Sequence, residues 1–132
     1  MQLTVSTDIA MRTLIYLGRK NELATIQEIA DAFNISKAHL MKVVMTLVAE
    51  KFLISERGRN GGVRLALKAS DISIGSVVRL MENSLALVAC MKEDAAKDAC
   101  PLLPNCRLKG VFTKAQNAFF ASLDQNSLAD IL

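Results

Sequence analysis

The chain has 132 residues, a formal net charge of +3 and 52% apolar residues, with only 5% aromatics and no Trp. That length suits one domain with an appendage, and apolar content built from Ala, Leu, Ile, Val and Met favours helices. No apolar run reaches the roughly 20 residues of a membrane span, and Met1-Gln2-Leu3-Thr4 has no charged region before an apolar stretch, so a cytoplasmic chain without a signal peptide is expected. The charge is unevenly spread: residues 1–70 carry ten Lys/Arg against six Asp/Glu, and residues 71–132 carry six against seven. The basic half is therefore the half to examine for phosphate contact.

A first helix is predicted from near Ser6 or Thr7 to about Arg19, with Asp8 in its first turn and Ile9, Ala10, Leu14, Ile15 and Leu17 forming a broad apolar face. Thr25-Ile26-Gln27-Glu28 has the spacing of a capping box, in which Thr caps the third amide and Glu reaches back. The helix it opens places Ile26, Ile29, Ala30 and Phe33 on one side. Asn34-Ile35 makes a short turn, and Ser36 caps a third helix with Leu40, Val43, Val44, Leu47 and Val48 at i, i+3, i+4, i+7 and i+8. Two short helices joined by such a turn form a helix-turn-helix, the second helix being the reader.

Two strand-like runs follow, Phe52–Ser55 and Val63–Leu67, separated by Glu56-Arg57-Gly58-Arg59-Asn60-Gly61-Gly62. Asn-Gly between strand patterns predicts a hairpin, because both residues tolerate positive φ. A hairpin directly after a reading helix is a wing. Ser73 or Ser70 caps a further helix near Ile74–Glu82, residues 83–106 read as a loop, and Arg107–Leu123 as a long helix. That helix carries Leu108, Val111, Phe112, Ala115, Phe119 and Leu123 as one apolar stripe, which suits pairing with a second copy. The fold expected is mainly α with a small β-hairpin: a winged helix-turn-helix over residues 1–82, a cysteine-bearing loop over 83–106, and a dimerisation helix with the C-terminal end over 107–132.

The candidate DNA contacts are Ser36, Lys37, His39 and Lys42, which lie off the apolar stripe of the reading helix. In the wing they are Arg57, Arg59, Asn60 and Gly61, where an Arg on a thin hairpin can enter a narrow minor groove of A·T-rich DNA. His39 is the single histidine, no catalytic dyad or phosphate loop is present, and an enzyme is not expected.

All three cysteines fall in Cys90-x9-Cys100-x5-Cys106. An odd number cannot close into disulfides within one chain, and clustered thiols in a reducing compartment more often bind metal or respond to oxidants. Thiolates suit zinc, copper(I) and iron–sulfur clusters. No short knuckle of the zinc type is present, and a four-iron cluster would need a fourth ligand from elsewhere. Spacing alone does not favour a cluster over three unrelated thiols, one pair of them oxidisable.

The whole chain resembles the Rrf family of winged-helix, iron–sulfur transcription regulators. The resemblance rests on Met1-Gln2-Leu3-Thr4 with Thr7-Asp8, the helix-turn-helix, Arg57-Gly58-x-Asn60-Gly61-Gly62-x-Arg64-Leu65, the three cysteines, and Ser127-Leu128-Ala129-Asp130. Cys100-Pro101-x2-Pro104-x-Cys106-Arg107-Leu108 is most similar to the nitric-oxide-sensitive repressors of that family. The resemblance implies a homodimeric repressor of nitric oxide detoxification genes that binds an inverted-repeat operator in double-stranded DNA and responds to nitric oxide. It implies one 4Fe-4S cluster per subunit on Cys90, Cys100 and Cys106, with Asp8 of the other subunit as the fourth ligand. Arg12, one turn on, could hold the Asp8 carboxylate.

Two departures stand out. The stretch Met91–Ala99 is longer than is usual for the family and must bulge, which makes Glu93 or Asp94 a rival oxygen ligand. The iron–sulfur-biogenesis regulators of the same family have a histidine three residues after the last cysteine, where this chain has Lys109; that argues against a 2Fe-2S site with three Cys and one His. A 2Fe-2S or general redox regulator, and a cofactor-free winged-helix regulator with incidental thiols, are the alternatives.

Overall fold

The computed structural model describes residues 2–96 and 100–132. Helix α1 (Val5–Lys20) is followed by α2 (Ile26–Phe33), α3 (Lys37–Ala49), a hairpin of β1 (Leu53–Glu56) and β2 (Gly62–Leu65), α4 (Ile74–Met81) and α5 (Arg107–Asp124). Short 3-10 turns occupy Ala69–Asp71, Ala89–Met91 and Leu128–Ile131. The expected class, helical with a small winged hairpin and a long C-terminal helix, is the class observed. No helix among the described residues is long and apolar enough to cross a membrane.

Capping explains most helix boundaries. The Thr4 side chain accepts from the amide of Thr7, so α1 begins at Val5, one or two residues earlier than Ser6 or Thr7 would have placed it. Asn21 takes the left-handed conformation at its end. Thr25 accepts from Glu28 N as expected. The reciprocal half of the capping box is given up: the Glu28 carboxylate accepts from Tyr16 Oη and Lys20 Nζ instead. The sequence spacing could not anticipate this, because α1 supplies a hydroxyl and an ammonium that outbid a backbone amide.

Helix α1 is the centre of the core. Its Ile9, Ala10, Leu14 and Leu17 are buried with Ile29 of α2, Leu40 and Leu47 of α3, Leu53, and Val77 of α4. The chain end returns to the same core: Leu128 N donates to Ile72 O at 2.8 Å, and the Leu128 side chain is fully buried. The Ser127-x-x-Asp130 segment is a complete capping box that orients this return.

The hairpin pairs Leu53 with Leu65 and Glu56 with Gly62, one residue out of the range expected for each strand. A five-residue loop, 57–61, therefore connects the strands. Positive φ is taken at Gly58 (φ 117°), not at Asn60 or Gly61, so the tight Asn-Gly turn is not formed. The longer loop bends at Gly58 and closes with Gly61 N donating to Gly58 O. Ala24 joins the hairpin through paired bonds with Val63 (3.0 and 2.8 Å). A β-carbon at Gly62 would stand 2.5 Å from Ala24 O, so only Gly permits that approach.

Helix α5 buries one residue that the expected stripe omits, Phe120, while Leu108 and Val111 of the stripe are exposed in the single copy. Arg79 of α4 explains the difference: its guanidinium lies 4.3 Å over the Phe120 ring and pairs with Asp124 at 2.6–2.7 Å. That turns the Phe120 side of α5 onto α4 and the Leu108–Val111 side outward.

Candidate nucleic-acid interface and cysteine segment

The α2–α3 turn is built as its residues require. Asn34 adopts a left-handed conformation (φ 51°), Ile35 N donates to Ala30 O, and Ser36 Oγ accepts from His39 N at 3.2 Å. Ser36 is thus committed to capping α3, and its hydroxyl keeps only its remaining capacity for a ligand. Lys37 and Lys42 are exposed, and no ion pair among the described residues engages either. His39 is half-buried, its Nε2 standing 3.2 Å from Ser6 Oγ of α1. It sits on the flank of α3 that faces α1, in a groove shared with Ser36, Lys42 and Asn83.

In the wing, Arg57, Arg59 and Asn60 are exposed and Gly61 is half-buried. Glu56 would oppose phosphate there, but Arg64 holds its carboxylate at 2.7 Å. The other flank of α3 faces this hairpin across a groove of about 660 Å³ lined by Met41, Met45, Val48, Arg57 and Gly61. Met41 and Met45 are 46% and 67% exposed. Sequence reasoning passed over them because apolar residues on an amphipathic helix are assigned to the core. Their signal was positional: neither fits the Leu40, Val43, Val44, Leu47 spacing.

The cysteines lie between α4 and α5. Cys90 is in the Ala89–Met91 turn, Cys100 precedes a cis Leu103–Pro104 bond, and Cys106 is the residue at which α5 begins. All three are half-buried free thiols. Asp8 is exposed on α1 and held by Arg12 through two contacts, 3.0 and 2.8 Å, the i, i+4 pair anticipated. Glu93 and Asp94 are exposed, and Lys97–Ala99 of the expected bulge lie outside the described residues. Three soft thiol donors on one segment suit an iron–sulfur cluster in chemistry. Among the described residues, however, no three His, Cys, Asp or Glu side chains converge closely enough to hold an ion.

Sequence reasoning missed the contact that joins these regions. Glu82, directly after α4, accepts from Thr4 N (2.8 Å), Thr4 Oγ1 (3.1 Å) and Thr7 Oγ1. Thr7 is fully buried. Burial pushes the Glu82 carboxyl up, but the bonds from Thr7 and Thr4 outweigh it and hold it below its ordinary value. Gln116 of α5 donates to Leu85 O, fixing the next part of the segment.

A family model described as Rrf2, iron-dependent transcriptional regulator, matches residues 3–132. The HTH-type transcriptional regulator NsrR of Oceanobacillus iheyensis is 43% identical over all of this chain and 90% of its own length. The regulator of the same name from Bacillus licheniformis is 45% identical over all of this chain and 92% of its own. Among solved structures, CymR (YrzC), the global cysteine regulator of B. subtilis, superimposes with a TM-score of 0.78 at 21% identity, covering 99% of this chain and 95% of that one.

Proposed function

We propose that this chain, which belongs to the Rrf2 family of transcriptional regulators, represses nitric oxide detoxification genes and is released from its operator by nitric oxide. As a member of that family it is a DNA-binding transcription regulator and not an enzyme. Cys90, Cys100 and Cys106 would hold an iron–sulfur cluster, 4Fe-4S in this reading, with Asp8 of a second copy as fourth ligand. Such a cluster supplies, when bound, iron that nitric oxide attacks.

The remaining work falls to the chain. Lys37, Lys42, Arg57 and Arg59 offer cations to phosphates, while Ser36, His39, Asn60 and Gly61 lie at the same surface. Two copies pairing through the exposed Leu108–Val111 side of α5 would set two α3 helices about 34 Å apart on an inverted repeat.

One observation carries the reading. The segment bearing the thiols leaves α4 at Glu82, Glu82 is bonded to Thr4 and Thr7 at the start of α1, and Ser6 between them touches His39 of α3. A change in how the cysteine segment is held therefore reaches the reading helix through side chains in direct contact. By linkage, operator DNA must favour whichever state of the segment favours DNA.

The test is operator binding and the absorption spectrum of anaerobically purified protein, before and after stoichiometric nitric oxide. A chromophore that bleaches as binding falls supports the proposal. Binding by a triple Cys→Ser variant equal to that of the wild type would make the thiols incidental. A spectrum and Mössbauer signature of a two-iron centre would replace the 4Fe-4S assignment. An Asp8→Ala variant with unchanged loading, binding and response would remove Asp8 from the ligand set.

A further inference from the structure

We infer that Met41 and Met45 of α3 form an apolar reader of thymine methyl groups, and so set part of the sequence preference of this protein. The inference rests on the DNA-reading role of α3 proposed above.

Helix α3 has a polar and an apolar flank. Toward α1 it presents His39 and Lys42. Toward the wing it presents Met41 and Met45, one turn apart, over the groove that Arg57 borders. Two large apolar side chains this exposed cost solubility unless something covers them. The groove beneath them is lined by apolar Ile26, Val48 and Val63 as well, with Arg57 as its one cation. On the helix surface beside it stand Lys42, next in sequence to Met41, and Lys37, one turn before it, both exposed and in no ion pair among the described residues. Exposed cations bordering an apolar floor favour a polyanion as its occupant. The one carboxylate among the groove's lining residues, Glu56, is taken by Arg64.

An apolar floor with a basic surround matches one edge of duplex DNA. Among the base edges of the major groove, thymine alone offers a methyl group, and phosphates flank it on both sides. Methionine suits the task because its unbranched, polarizable chain adapts to a methyl without a fixed geometry. Ala38, exposed one turn before Lys42, adds no bulk to keep the helix out of the groove.

The probe is the duplex that wild-type protein recovers from a random-sequence library, compared with the same duplex carrying deoxyuridine in place of thymidine. Wild-type protein should bind the deoxyuridine duplex about fourfold more weakly per methyl contacted, the effect of burying one carbon's apolar surface. Met41→Ala and Met45→Ala should lose that discrimination while still binding, and Met41→Leu should keep it. Lys42→Ala should weaken both duplexes alike and flatten the salt dependence. Equal wild-type affinity for the two duplexes, or full discrimination by the Ala variants, overturns the methyl reading alone. Recovery of no duplex at all overturns the DNA-reading role with it. Self-association without DNA that the Ala variants abolish would assign this face to a second copy and also overturn the inference.

Discussion

Gly75, in the first turn of α4, is buried against the far end of α5. A β-carbon there would stand 1.9 Å from Asp124 Oδ1 and 3.0 Å from Arg79 Nη1. Since real β-carbons do not approach below about 3 Å, Gly75→Ala must displace the Asp124 carboxylate. That breaks its paired bonds to Arg79, 2.7 and 2.6 Å, and its bond from Ser73 Oγ. Against this stands the backbone gain from Gly to Ala within a helix, about 0.5–1 kcal/mol. In the wild-type background the two effects oppose each other, and thermal stability should change little. In an Asp124→Ala background the obstacle is gone, and the same Gly75→Ala change should stabilise by the full 0.5–1 kcal/mol, a rise of roughly 2–5 °C in Tm for a chain of this size. The assay is a double-mutant cycle by thermal denaturation in cluster-free protein. Equal effects of Gly75→Ala in both backgrounds would refute the clash, and with it the reading that Asp124 fastens α5 to α4.

Acid should expose the Glu28 contacts. Lys20 and Tyr16 hold its carboxyl below the ordinary value of 4.5, so the stability they confer is complete above that value and is lost as pH falls through the lower folded one. Glu28→Gln should therefore be less stable than wild type at neutral pH, with the Tm gap closing in acid; a gap independent of pH contradicts the assignment. Leu128→Ala should cost about 2–5 kcal/mol in urea denaturation, because Leu128 is fully buried in the same core as α1; a cost under about 1 kcal/mol would mean that the chain end is not docked. Thr7→Val, which keeps shape and removes the hydroxyl that Glu82 accepts from, should cost about 1 kcal/mol given the partly exposed carboxylate, with Thr7→Ser restoring it.

The helix-turn-helix was legible because every signal in it is local. Thr25, Asn34 and Ser36 act within four residues of themselves, and the apolar spacing of α3 is the spacing of its buried face. The wing was legible as a hairpin but not in its turn. Asn60-Gly61 is a strong pattern, yet the strand register leaves five residues in the loop, and the bend moved to Gly58. Contacts between distant residues left no trace in the sequence. Glu82 meets Thr4 across 78 positions, and Arg79 meets Asp124 across 45, so neither pair forms a pattern in a single chain. Phe120 was lost for a related reason, since only the position of Arg79 decides which side of α5 turns inward. The cysteines were visible as residues, but among the described residues no three His, Cys, Asp or Glu side chains come close enough to hold an ion.

His39 shows how these levels combine. On the sequence it belongs with Lys37 and Lys42 as a polar residue of a reading helix. In the fold it is half-buried, with Ser6 at 3.2 Å, and Ser6 lies between the two threonines that Glu82 holds. A side chain so placed does not need to touch a base to matter. Its contact with α1 adds to the buried Leu40 and Val43 in holding the first turn of α3, the turn whose side chains meet base edges in helix-turn-helix complexes. His39→Gln, which retains a hydrogen-bonding group, should then preserve binding better than His39→Ala. Ser6→Ala should weaken binding although Ser6 lies on a different helix from the reading residues. If Ser6→Ala leaves operator affinity unchanged while His39→Ala lowers it, His39 acts on DNA directly and the route through α1 is not used.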